Sequence, residues 1–176
     1  MKTIHFTRIG LMTAAILLIP LLGMLFTNGV NWTVFDFVFA GALLFSAGIA
    51  YEVVSAKGGA IAYRIAVGIA CLTTLVLMWA NAAVGIIGDG PVNAWYAAVP
   101  LVLITGSIIV RLRAAGMMYV LIAGAATMML IPTIAFFTFH PPFDPGVIGV
   151  FLINAFFAAL FVVSAMFFRH ARTTGA

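Results

Sequence analysis

At 176 residues, with 65% hydrophobic and only 7% charged residues and a mean hydropathy of +1.27, the chain cannot be a water-soluble globule, which carries about 25% charged residues. Its net charge of +4 resides in basic residues at the ends of apolar runs, a pattern of membrane anchoring that implies no nucleic-acid partner. The single cysteine, Cys71, excludes an internal disulfide, a C-x-x-C redox motif and a thiolate metal cage.

A membrane-spanning helix needs roughly 20 mainly apolar residues. Six segments qualify: Ile9 to Phe26, Trp32 to Val54, Ile61 to Ile87, Val92 to Val110, Gly116 to Thr138 and Gly146 to Phe168. The first follows Lys2 and Arg8 as a signal peptide would, but it ends in Leu25-Phe26-Thr27-Asn28-Gly29 with no small-x-small cleavage pattern, so it reads as a helix. Pro20, Pro100 and Pro132 fall within spans, where a kink is tolerated once neighbours satisfy the freed backbone. The connections are too short to fold alone. The expectation is an all-α fold, a bundle of six transmembrane helices in one domain over residues 1–176.

The basic residues order these spans. Lys2 and Arg8 precede the first, Lys57 and Arg64 lie between the second and third, Arg111 and Arg113 between the fourth and fifth, and Arg169 and Arg172 follow the sixth. The alternate connections, including His140-Pro141-Pro142-Phe143-Asp144-Pro145, hold no lysine or arginine. By the positive-inside rule, all eight basic residues and both termini are expected in the cytoplasm. Trp32, Trp95, Tyr96 and Phe143 then fall near the outer boundary, as an aromatic belt does.

Few polar residues interrupt the spans, so any function must draw on these few. Asp36 lies about one turn inside the second span with Ala40 and Ala47 on its face; it reads either as a proton or cation ligand or as a local cap. Glu52, near the other end of that span, and Arg64 sit at similar depth across a short turn, which predicts an ion pair closing the hairpin. Asp36 and Glu52 are 16 residues apart. At about 100° per residue they diverge by roughly 160°, which argues against one proton relay down a single face.

Asn81 shares a helical face with Thr74, Gly85 and Gly88, which suits either close helix packing through an interhelical hydrogen bond or passage of a small solute. Asn154 and Thr133 fall in the same outer half, so Asp36, Asn81, Asn154 and Thr133 form a candidate polar layer with His140 and Asp144 at its mouth. Met117, Met118, Met128 and Met129 read as adaptable packing and not as soft-metal ligands. None of His5, His140 and His170 lies mid-span, which leaves transmembrane haem ligation unsupported. No metal set and no nucleophile motif is legible, and no cofactor is indicated.

Two segments, Asn31-Trp-Thr-Val-Phe-Asp-Phe-Val-Phe-Ala-Gly-Ala-Leu-Leu-Phe45 followed by Ala50-Tyr-Glu52, and Asn81-Ala-Ala-Val-Gly-Ile-Ile-Gly88, resemble those of small multi-pass bacterial membrane proteins of uncharacterised function. The resemblance covers the second and third spans. It implies a bacterial inner-membrane setting and carries no activity, substrate or cofactor.

The sequence thus points first to a non-enzymatic integral membrane protein, a small subunit or partner of other membrane components, with the lipid bilayer and a membrane-protein partner or a second copy as its contacts. The alternative is a small-solute or proton-coupled transporter or channel that uses Asp36 and Asn81 with Asn154 in support. A membrane enzyme ranks third for want of a nucleophile or metal set.

Overall fold

Apolar runs of this length have one economical solution in hydrocarbon, because only a helix satisfies every backbone group within its own segment. The computed structural model describes residues 4–27, 29–138, 143–144 and 146–173, and all regular structure among them is helical. The helices are α1 (Phe6–Phe26), α2 (Val34–Ser55), α3 (Ile61–Val84), a 3-10 helix (Pro91–Ala97) continuing into α4 (Ala98–Ile109), α5 (Ala114–Thr138) and α6 (Val147–Thr173). Counting the 3-10 helix with α4, six of the described segments are long and apolar enough to cross a membrane. The protein is a multi-pass integral membrane protein. Lys2, His140, Pro141, Pro142 and Pro145, which entered the sequence reading, lie outside the described residues.

The chain forms two compact units, residues 1–56 and 57–176. In the first, α1 and α2 make a hairpin. A Cβ on Gly48 would lie 2.7 Å from Ile9 Cγ2, so the absence of a side chain there lets the helices close on each other. Arg8 pairs with Glu52, whose other oxygen accepts the His5 backbone N–H at 2.8 Å. Of the described residues in this unit, only Ile9 and Ala40 are buried.

In the second unit, α6 packs against both α3 and α5, and α5 also takes α4. Glycines again set the approach: Cβ atoms on Gly106 and Gly124 would lie 2.9 Å from Val120 and Leu103 respectively, across the α4–α5 contact. Leu77 of α3, Val99 of α4, Leu121 and Met128 of α5, and Phe161 and Phe168 of α6 fill the core. Buried polar groups find partners across it, as the Ser164 hydroxyl donates to the Ala66 carbonyl at 2.8 Å and ties α6 to α3. At one end, the Tyr63 hydroxyl of α3 donates to the Leu112 carbonyl in the α4–α5 turn at 2.6 Å. The Tyr63 ring meets Phe168 of α6 edge-on, centroids 5.0 Å apart.

Candidate functional site

The amide side chains Asn81, Asn93 and Asn154 of the four-helix unit gather at its other end, where α3 and α5 finish and the 3-10 helix and α6 begin. The third span was expected to run to Ile87, with Gly85 and Gly88 continuing the face of Asn81. Instead α3 stops at Val84, because Gly85 takes φ +67° and Gly88 φ +99°, backbone that glycine adopts without the clash a Cβ brings. The two glycines therefore shape a loop and not a helix face. Its next residues, Ile86 and Ile87, turn back into the core and are buried.

A buried loop needs partners for its backbone groups. Asn93 supplies them. Its Oδ1 accepts from the N–H groups of Ile86 at 2.9 Å and Ile87 at 3.1 Å, while its Nδ2 donates to the Gly88 carbonyl and, at 3.4 Å, to that of Gly90. Pro91 opens the 3-10 helix, at a position where the missing N–H costs nothing, and so brings Asn93 over the loop. A Cβ on Gly85 would lie 2.7 Å from Asn93 Nδ2, so this glycine is required by contact as well as by φ.

Asn81, in the last turn of α3, fastens this knot to the helix, its Nδ2 donating to the Asn93 backbone carbonyl at 3.0 Å. Its Oδ1 is buried and has no hydrogen-bond partner among the described residues. A buried amide oxygen left without a donor costs free energy, about 1–3 kcal/mol for a typical polar group.

Asn154 is fully buried on α6, where its Oδ1 accepts from the Tyr96 hydroxyl at 2.9 Å and its Nδ2 donates to the Val150 carbonyl at 2.8 Å. Tyr96, expected near the outer boundary as part of an aromatic belt, is a buried core residue bonded across the unit. Thr133, half-buried on α5, returns its hydroxyl to the Met129 carbonyl of its own helix at 2.7 Å. Asp89 and Asp144 lie exposed in the segments of this end.

The remaining two sequence candidates belong to the α1–α2 hairpin, the other unit. Asp36 forms a capping box with Thr33. Its carboxylate accepts the Thr33 N–H at 2.7 Å, and its own N–H bonds the Thr33 hydroxyl at 3.3 Å. Of the two readings of Asp36, the local cap is the one its bonds describe. Glu52 was expected to pair with Arg64, and its ion pair is formed with Arg8 instead. The cause is the close α1–α2 contact at Gly48 and Ile9, which brings the first turn of α1 beside the last turns of α2.

Chemically, the bonded side chains of the amide end, Asn81, Asn93, Asn154 and Tyr96, are neutral hydrogen-bonding groups. Carboxamides orient and bind, but they do not exchange protons with a substrate near neutral pH. Among the described residues no three of His, Cys, Asp and Glu converge as metal ligands would. Sequence reading missed Asn93 and the core role of Tyr96. The run Gly85 to Pro91, with three glycines, an aspartate and a proline, carried the turn signal that marks the loop's true start. Compared with known protein families, with curated proteins and with solved structures, the chain matches none.

Proposed function

We propose that this integral membrane protein is a non-enzymatic component of the bacterial inner membrane, a small subunit or partner of other membrane proteins. One observation carries the reading: apart from the Oδ1 of Asn81, the polar side chains that the sequence offered for a ligand site are spent within the fold. Asp36 caps α2, Glu52 holds Arg8 and the His5 N–H, Asn154 holds Tyr96, and Thr133 bonds its own helix. The distribution of basic residues supports an orientation with both termini in the cytoplasm. A reporter fused after Ala176 that proves active only outside the cytoplasm overturns that orientation.

The test of the role is purification in mild detergent followed by native mass spectrometry with everything that remains bound. A stoichiometric membrane-protein partner is the expected result, and Asp36→Asn leaves it in place. A second reading, transport of a small polar solute, draws on the unpartnered Oδ1 of Asn81. It takes over if the protein purifies alone with a small molecule that Asn81→Leu releases from a still-folded chain.

A further inference from the structure

The end of the four-helix unit opposite the amide knot carries six basic side chains in three segments: Lys57 and Arg64 at the start of α3, Arg111 and Arg113 in the α4–α5 turn, and Arg169 and Arg172 at the end of α6. All six are exposed. The unit's two acidic residues, Asp89 and Asp144, lie at the other end, and none of these six lysine and arginine side chains is in an ion pair with a described residue. Orientation in a membrane requires only that such charges be present in the loops. Here the backbone of the turn that carries two of them is also held in place.

Arg111 and Leu112 both take left-handed backbone, φ +52° and +59°, a conformation in which a Cβ crowds the following carbonyl and which side-chain-bearing residues rarely adopt. Such backbone persists where its surroundings over-determine it. The Leu112 N–H donates to the Ser107 carbonyl at 3.0 Å, the Arg113 N–H to that of Val110 at 3.1 Å, and the Tyr63 hydroxyl clamps the Leu112 carbonyl at 2.6 Å. Tyr63 is buried, its ring edge-on to Phe168, one residue before Arg169. Tyr63, next to Arg64, therefore touches both of the other basic segments and gathers the three at one end of the unit.

We infer that this cluster is a preorganised binding surface for the phosphate of anionic phospholipid headgroups. Guanidinium groups match phosphate oxygens in a bidentate fashion, and their position at the ends of membrane-spanning helices puts them level with headgroups of the surrounding leaflet. The lipid phosphate is the source to which the geometry commits, because free phosphate has no acyl chains to lie along the apolar helices below.

The full chain in mild detergent, offered an equimolar mixture of phosphatidylglycerol and phosphatidylcholine and examined by native mass spectrometry, tests this. Expected is a several-fold excess of retained phosphatidylglycerol, reduced several-fold in R111Q/R113Q and, independently, in R169Q/R172Q. Tyr63→Phe keeps every charge and the ring but releases the turn, and it lowers the preference part of the way. Equal retention of the two lipids overturns the proposal. So does a preference that both double substitutions leave unchanged, or displacement of phosphatidylglycerol by an equal concentration of inorganic phosphate. A preference lost in the arginine variants but intact in Tyr63→Phe overturns the preorganisation and leaves only charge.

Discussion

The two units solve the same problem, helix against helix in lipid, with different means. The 57–176 unit buries large side chains on every helix and crosses its core with hydrogen bonds such as Tyr96 to Asn154 and Ser164 to Ala66. The 4–56 hairpin buries only Ile9 and Ala40 among its described residues and relies on glycine contacts and a charged pair at one end. Lipid is as apolar as leucine, so association in the bilayer is driven by packing density and polar bonds and not by hiding apolar surface. The 57–176 unit is rich in both; the hairpin, with glycine contacts at Gly41 and Gly48 and one ion pair, is held at few points.

Substitution in the core should divide the two most sharply. Phe161→Ala, at a side chain with no exposed surface on the helix between α3 and α5, is expected to cost about 3–5 kcal/mol in reversible unfolding from mixed micelles. Ile19→Ala on α1, at a residue 69% exposed, is expected to stay within about 0.5 kcal/mol. Equal losses at the two sites would erase the distinction drawn here.

A smaller effect is expected from the buried bond of the amide end. A double-mutant cycle with Tyr96→Phe and Asn154→Leu should return a coupling of about 0.6 kcal/mol, the average for hydrogen bonds between membrane helices, and no more than about 1.7. Additive losses would mean that Tyr96 is held by packing alone. The smallest coupling is expected between Arg8 and Glu52, because the arginine side chain is 64% exposed. Measured as a cycle with Arg8→Gln and Glu52→Gln, it should shrink as salt is raised; a coupling indifferent to salt would show a pair sheltered from solvent, and the hairpin better closed than its burial indicates.

Much of the fold was legible along the chain. The six apolar runs predicted the helices to within a few residues at most ends, since period and length are local properties of the sequence. The end of the third span was misjudged by a turn, although Gly85 is a stop signal, because Ile86 and Ile87 prolong the apolar run past it. They are buried for a reason the run does not reveal, which is that the loop folds inward over Asn93.

The candidate site was less legible. Asn81 and Asn154 were singled out from the sequence, yet their partners, Asn93 and Tyr96, lie 12 and 58 residues away, beyond any helical spacing rule. Asp36 carried its own answer three residues upstream in Thr33. The pairing of Glu52 with Arg64 was inferred from nearness in sequence, whereas its actual partner lies 44 residues away.

By itself, then, the sequence determined that this is an all-helical membrane protein, where its helices lie and at which ends its basic residues fall. Hydropathy, length and the cost of an unsatisfied backbone in lipid act locally, segment by segment. The tertiary structure alone decided that the chain divides after α2, that α6 lies between α3 and α5, that Asn93 closes the loop after α3 and that Glu52 belongs to Arg8. Those outcomes depend on which helix faces can approach most closely, and that is settled only when glycines, aromatic rings and amides from distant parts of the chain meet.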